Sequence, residues 1–513
     1  MTLHADSIHW AIESIGRHSD GDIFPSIPEF SAVFASPKGL IDELSAQPIG
    51  DYEPQPCRRF IVPKDDLSFR QATQLHPQDS LILTAVIYQY GSGIEARRLP
   101  DDIVFSYRFN PDDQYRLYGS GSKWNEFWMS ASEKSKNFSH VLYCDITDFY
   151  NQIYHHVVEN QLISSGFQNQ ALKWVRELLS STTQGVSRGL PIGPHGAHLL
   201  AESTMIPIDN SLKEIGLQFL RFSDDMVFFC DSEQQAKRTL RAVATTLDKQ
   251  QRLQTQRHKT KVFCAEDFRD YCLSMVEDRP ISLAEDRVLN VIRKYSGGNP
   301  YAALTYNQIS SEDWKQFSEV IIAGIIQEYL QAEEVDHVRL RWFFRRLAQV
   351  GHPAGLEVVL TNIEQLEPSL PRICSYISSV KEILPEDWEW IGAGLCGVID
   401  SPVMRDSEFA RIAILSLFSR NELIDNFVNL AQRFNSSDAY ARREILLAAR
   451  INGAADWLRQ LKEDYAGMDR WQQMAFVYCS SILPEEERRY FLNRQRYNCP
   501  FEDQLMKLSR DTN

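Results

Sequence analysis

The sequence predicts an α+β half followed by an all-α half, and three observations predict it. Residues 140–150 read as an apolar strand that ends on an acid, then a turn, then an amphipathic helix. Residues 217–230 read as two short apolar strands joined by a tight turn carrying Asp224 and Asp225. Beyond residue 286 strand signals vanish, and helical patterns recur every 31 residues. These set two expected domains, 1–285 and 286–513.

The chain has 513 residues, which leaves room for two to four domains. Hydrophobic residues make up 43% and charged residues 24%, values that exclude a disordered or fibrous chain. No apolar run reaches the length of a membrane span. The N-terminus shows no basic segment followed by an apolar one, so a cytoplasmic protein without membrane attachment is expected. The nine cysteines form no Cys-x-x-Cys pair, which argues for reduced thiols and against a zinc site. The net charge of −15 is unusual for a protein that grips a long duplex. It suits a locally positive groove, a short product, a dedicated RNA or a strand attached to the protein itself.

Residues 1–50 read as helix and loop punctuated by Pro25, Pro28, Pro37 and Pro48. Arg58–Lys64 reads as a basic strand, with a turn at Asp65-Asp66 and a return through Phe69 to Ala72. Asp79–Tyr90 reads as an apolar helix. Val104–Phe109 is expected to pack beside the chemistry, and the rings of Trp124, Phe127 and Trp128 to be core. In the strand His140–Ile146, Asp145 sits where an unpaired carboxylate is expensive. Beside Asp224 and Asp225 it completes three carboxylates. Such a cluster suits two divalent cations about 3.5–4 Å apart, the arrangement for in-line phosphoryl transfer. Taken alone, Asp-Asp in a turn is ordinary turn chemistry.

Gly189 and Gly193 bracket Pro191 and allow close backbone approach to a ligand, while Pro194 suits the first turn of a helix. Pro207 is expected to kink or end that helix. His195 and His198 read as surface or packing residues. Glu233–Lys249 is a helix with Ala236, Leu240, Val243 and Leu247 as its stripe, and Gln256–Phe263 turns into a strand. The order strand, helix, helix, hairpin, helix, strand fits a ferredoxin-like arrangement.

Asp145-x-x-x-Phe149-Tyr150, Gly189-Leu190-Pro191-Ile192-Gly193-Pro194 and Phe222-Ser223-Asp224-Asp225 occur in that order. Together they resemble motifs A, B and C of reverse transcriptases, over roughly residues 55–270. The flavour is that of bacterial abortive-infection and other defence-associated reverse transcriptases. The resemblance implies fingers at about 50–135 and a ferredoxin-like palm at about 136–285. It implies two Mg2+ ions, with Mn2+ as a substitute, on Asp145, Asp224, Asp225 and the Ile146 backbone, Asp225 contributing more to geometry. Lys64 and Arg70 are the matching triphosphate-binding cations, with solvated surface charges as the plain alternative. Tyr150 would lie under the nucleotide sugar and select deoxynucleotides, or merely pack at the strand–helix junction. Gly189, Pro191 and Gly193 would shape the nucleotide site. Lys259 would protonate the departing pyrophosphate, or be a solvated loop residue. Arg108 is a further candidate for template or phosphate contact. Phe222 departs from the usual Tyr of the Tyr-x-Asp-Asp box but keeps the aromatic packing. Ile192 stands for the usual Gln, and Gly196-Ala197 lie where Ser is common, which bears on template contacts.

The helical half carries its repeat in residue identities. Phe409-Ala410-Arg411 recurs as Tyr440-Ala441-Arg442 and weakly as Trp471-Gln472-Gln473; Asn421 matches Asn452, and Leu430 matches Leu461. This resembles the HEAT-like repeat domain that abortive-infection enzymes carry in place of a thumb. Arg339, Arg341, Arg345 and Arg346 form a basic helix that either lines a nucleic-acid groove or is a solvated face. The function implied is an antiphage reverse transcriptase adding deoxynucleotides to a 3′-hydroxyl. It would be RNA-templated or template-independent, with a protein hydroxyl as a candidate primer. The implied partners are deoxynucleotide triphosphates, a template or non-coding RNA, the DNA product and further copies of the chain. The alternatives are an idle scaffold binding RNA or a phage protein, and a same-fold RNA polymerase, which Tyr150 disfavours.

Overall fold

The computed structural model describes residues 2–119, 123–276, 279–297, 303–381, 383–424, 426–497 and 499–511. Two antiparallel sheets organise the first half. Strand β1 (Arg58–Pro63) pairs with β2 (Phe69–Gln74), Arg58 opposite Gln74 and Pro63 opposite Phe69. Strands β3 (His140–Asp145), β4 (Phe219–Phe222), β5 (Asp225–Cys230) and β6 (Lys261–Cys264) form a sheet of order β4-β5-β3-β6. Side chains alternate across β3, so each face meets its own core. Leu142 and Cys144 join Met226 and Phe228 in the core beneath the helices His195–Glu214 and Glu233–Gln251. Val141 and Tyr143 join Val227, Phe229, Phe105, Phe127, Trp128 and Phe268 in a second cluster. Phe127 and Trp128 lie in the Lys123–Ser135 helix and are fully buried.

The helix expected to kink or end at Pro207 does not end there and continues to Glu214. A proline there removes one helical donor and crowds the preceding turn. Gln251 donates a side-chain N–H to the carbonyl of Thr204 in that turn.

The expected 285/286 boundary falls inside the helix Leu283–Ser296. Glu285 of that helix accepts a hydrogen bond from Tyr329, so the helix packs with the second half. From there the helices His337–Val350, Leu370–Ser379, Glu408–Phe418, Ala439–Ile451, Arg470–Cys479 and Pro500–Asp511 pack each on the next. Three of them begin at Glu408, Ala439 and Arg470, 31 residues apart. Their N-caps, Ser407, Asp438 and Asp469, each accept from backbone amides of the first turn, which satisfies donors the helix cannot.

This array folds back over β1 and β2. On one face of that hairpin, Phe60, Val62 and Ala72 pack with Phe409 and Ile412, with Phe24 and Tyr440 alongside. Arg58 is 2% exposed and lies over the rings of Phe60, Tyr440 and Trp471 at 5.2, 4.7 and 5.3 Å. The last helix returns to the first segments of the chain. Phe501 packs edge-on against Phe30, Glu502 meets His76 at 3.2 Å, and Gln504 donates to the Ser36 carbonyl. Arg443 clamps Glu29 through two hydrogen bonds of 2.7 and 2.8 Å.

Candidate active site

The end of β3 and the β4–β5 turn meet because their backbones are tied. Asp145 stands opposite Asp225 in the register, and the Ile146 amide donates to the Asp224 carbonyl at 3.2 Å. The Gln256 amide donates to the Asp145 carbonyl at 2.7 Å, which brings the turn Arg257–Lys259 to the same edge. Lys259 Nζ then lies 2.6 Å from Asp145 Oδ2. The structure therefore gathers Asp145, Asp224, Asp225 and Lys259 at one point.

The electrostatics of the cluster follow from burial and like charge. Burial, then the charge of Asp145, pushes the Asp224 carboxyl up. Burial, then Asp224 and Asp145, pushes Asp225 up, against the hydrogen bond that the Tyr143 hydroxyl donates to Oδ1 at 2.5 Å. Burial opposes the charge on Lys259, but the hydrogen bond and charge of Asp145, with the fields of Asp225 and Asp224, carry its pKa above the ordinary value. Among the described residues no three His, Cys, Asp or Glu side chains stand in a geometry that holds a metal ion. Asp145 is turned to Lys259 and Asp225 to Tyr143. The donor set nevertheless suits a hard divalent cation: oxygen ligands, anionic, with protonation raised by mutual repulsion that a cation would relieve.

The turn is braced from below by a buried charge network. Ser223 adopts the left-handed region at φ +55°. Its carbonyl accepts from Arg221 Nη1 at 2.8 Å, and its amide donates to Ser106 Oγ at 2.8 Å. Arg221 is 0% exposed and makes paired bonds to Asp209, at 2.8 and 2.7 Å, and to Glu202. Arg98 also binds Glu202 at 2.8 Å. Sequence reasoning passed over this network. The available signals were an arginine inside an apolar strand, and Glu202 and Asp209 seven residues apart on one helix face.

Tyr150 is held by a second missed residue. Its hydroxyl bonds His198 Nδ1 at 2.7 Å, and the His198 ring stacks on Tyr107 at 4.0 Å and 7°. Burial lowers the His198 pKa to about 4, so the ring is neutral. Tyr107 itself sits at φ +43°. The reading of His198 as a packing residue holds for its ring, while its nitrogen positions Tyr150.

The Gly189–Pro194 loop lies against Tyr150, whose carbonyl accepts from Leu190 N at 2.9 Å. Gly193 has φ +132°, and a Cβ there would stand 3.1 Å from the Thr73 carbonyl, which only glycine permits. Gly189 and Pro191 line a cavity of about 280 Å³ with Asp148, Asn151, Arg188 and, from β1 and β2, Arg59, Gln71 and Thr73.

Lys64 and Arg70 are placed elsewhere. Among the described residues no hydrogen bond or ion pair joins either to the carboxylates. The Lys64 carbonyl accepts from Arg341. Arg70 pairs with Val62 in the register, on the face turned to the helical array, where its charge and that of Arg372 act on Arg341. Arg59, on the opposite face, is the β1 cation that reaches the Gly189–Pro191 loop. Arg108 is spent on Glu95 and on the carbonyls of Leu99 and Val104, which removes it from the candidates for template contact.

A carboxylate-bearing β3–β5 edge, flanked by a cationic turn and a glycine-rich loop, defines a nucleotidyltransferase of the palm type. Residues 81–297 match the family model described as reverse transcriptase (RNA-dependent DNA polymerase). The chain thus carries a reverse transcriptase domain, the domain of an RNA-directed DNA polymerase. The matched stretch contains Asp145, Tyr150, Gly189–Pro194, Asp224, Asp225 and Lys259. Among solved structures, apo telomerase from Candida tropicalis is similar at a TM-score of 0.33 and 9% identity, covering 83% of this chain and 69% of that one. No curated protein matches the chain. No helix among the described residues is long and apolar enough to cross a membrane.

Proposed function

We propose that this chain synthesises DNA from deoxynucleotides at the Asp145–Asp224–Asp225 edge, in the service of antiphage defence. The observation that carries the chemistry is the opposition of Asp145 and Asp225 across β3 and β5, with Asp224 on the turn beside them. Reverse transcriptase domains use divalent ions, typically Mg2+, and here Asp145, Asp224 and the Ile146 backbone would hold them, with Asp225 shaping the site. Bound there, Mg2+ supplies charge neutralisation for the attacking 3′-hydroxyl and for the leaving pyrophosphate.

The chain's own residues do the rest. Lys259 holds a proton within reach of the carboxylates and delivers it to the leaving group. Tyr150, fixed by His198, stands where a ribose 2′-hydroxyl would clash. Gly189, Pro191 and Gly193 let the backbone approach the nucleotide, and Arg59 supplies a cation from the fingers. Lys64 and Arg70 serve the triphosphate only if the hairpin shifts from its contacts with the helical array. The defence role rests on the sequence resemblance, as does assembly with further copies of the chain. The 31-residue helical array is read as HEAT-like, in place of a thumb. It covers the hairpin face bearing Phe60, and that cover supports synthesis on a short template or on none, from a nucleic-acid or protein hydroxyl.

The test uses nuclease-treated protein with Mg2+ and labelled deoxynucleotides, with and without added RNA, beside Asp224→Ala. Product that requires RNA marks templated copying. Product without RNA, absent in the variant, marks untemplated synthesis, and label that stays on denatured protein marks self-priming. No incorporation in wild type, with phage resistance intact in Asp224→Ala cells, would replace this reading with the scaffold.

A further inference from the structure

A cavity of about 730 Å³ lies away from the carboxylates, where three parts of the chain meet. Its walls are the segment 18–26, residues 116–119 with His195 of the palm, and residues 371–375 and 413–420 of the helical array. In a chain of net charge −15 its charged wall is mostly cationic. Arg116, Arg372 and Arg420 line it, with the rings of His18 and His195 beside them, and Asp22 is the one carboxylate among the described residues of the lining. Arg116 is paired with Asp112 at 2.9 Å. Arg420 is exposed and spends its hydrogen bonds on the carbonyl and hydroxyl of Ser26, at 3.3 and 3.2 Å. Among the described residues no carboxylate lies within ion-pair distance of Arg420. His195 also opens the helix His195–Glu214, so the positive end of a long helix dipole points the same way.

The rest of the wall suits a nucleotide. Phe24 and Tyr118 offer aromatic surface, and the volume falls in the range of small-ligand sites. Tyr118 donates to the His195 carbonyl at 2.5 Å, and its ring lies 6.3 Å from that of His198. The palm wall of the cavity is therefore the back of the support that holds Tyr150.

We propose that this cavity is a second nucleotide site, which takes the phosphate of a nucleic-acid strand or of a free nucleotide on Arg420, with a base against Phe24 or Tyr118. It goes beyond the polymerase reading, since none of its walls belongs to the carboxylate cluster. A strand held here is gripped by fingers-side, palm and helical residues at once, which gives an acidic protein a local hold on an acidic polymer.

The test measures binding of fluorescein-labelled oligothymidylate, and separately of dTTP, to the full-length protein across a salt series. Arg420→Glu is compared with Asp224→Ala and with Ser375→Trp, which narrows the cavity from an exposed position. We expect Arg420→Glu and Ser375→Trp to weaken one probe at least about tenfold, Arg420→Glu with a shallower salt slope, while Asp224→Ala loses at most the dTTP equivalent bound at the carboxylates. Loss confined to oligothymidylate identifies strand phosphates, and loss of a second dTTP equivalent identifies a free nucleotide. Unchanged binding of both probes in folded Arg420→Glu and Ser375→Trp overturns the site, even if wild type polymerises normally. Weakened binding upholds it even if wild type incorporates nothing.

Discussion

The palm edge and the helical array handle charge and backbone in opposite ways. At the edge, Asp148 and Ser223 adopt left-handed backbone, at φ +47° and +55°, and three carboxylates crowd one another. In the array, Ser407, Asp438 and Asp469 cap their helices in register, and Arg411 reaches across the repeat to Asp438 at 2.7 Å. Local rules are obeyed where the chain only has to stand and are broken where it has chemistry to do. The broken rules persist because a buried frame over-determines them, and Arg221 is the centre of that frame.

That contrast can be broken most severely at its frame. Arg221→Leu leaves Glu202 and Asp209 buried without their common partner, and should cost about 3–5 kcal/mol of stability, read by denaturant melts. A conservative Arg221→Lys should recover only part of it, since an ammonium cannot bond both carboxylates in parallel. Next in size is His198→Phe, which keeps the stack on Tyr107 but drops the bond to the Tyr150 hydroxyl. Preference for deoxynucleotides over ribonucleotides should fall by about tenfold, equivalent to about 1.4 kcal/mol, with kcat for deoxynucleotides less affected. A merely structural His198 would leave that ratio unmoved while stability fell.

On the helical side, Asp438→Ala removes one cap and its contact with Arg411, and should cost about 1 kcal/mol. Nucleotide incorporation should stay within twofold of wild type. The remaining effect has the opposite sign. Asp225→Asn keeps an acceptor for Tyr143 but removes one repelling charge. Because the folded pKa of Asp225 is raised, its contribution to stability is present at acid pH and is lost as pH climbs from the ordinary carboxylate range through the raised value. Metal-free Asp225→Asn should therefore match wild type near pH 4 and exceed it at pH 8, by on the order of 1–2 kcal/mol. Saturating Mg2+ should shrink the gap, and an Asn variant less stable than wild type at pH 8 would remove the claim of repulsion.

The carboxylates, the hairpin and the 31-residue helix spacing were legible because each is a local pattern. An acid at a strand end, two acids on a turn and a repeated register all announce themselves within a few residues. What escaped depends on partners far along the chain. Arg58 and Arg59 are adjacent and alike, yet pleating sends one into the cage of Tyr440 and Trp471 and the other toward Gly189. Arg70 looked like a substrate cation because the sequence does not say which hairpin face the helical array covers. Pro207 was expected to kink or end its helix, and pattern alone does not show that the helix runs on to Glu214. His198 read as a surface or packing residue, and the tyrosine its ring nitrogen holds lies forty-eight positions away.

The return of the last helix onto the first segments of the chain has a practical meaning. Glu29, His76 and Gln78 all find their partners beyond residue 440, through Arg443, Glu502, Cys499 and Phe501. The chain is fastened like a bracelet, with the β1–β2 hairpin under the helical array. A shortened version ending before the helical array is therefore not a minimal catalyst but an opened one, its β1–β2 hairpin stripped of its lining. Engineering of this protein from its tail acts first on the helices Pro28–Phe34 and Lys38–Ala46 at its head.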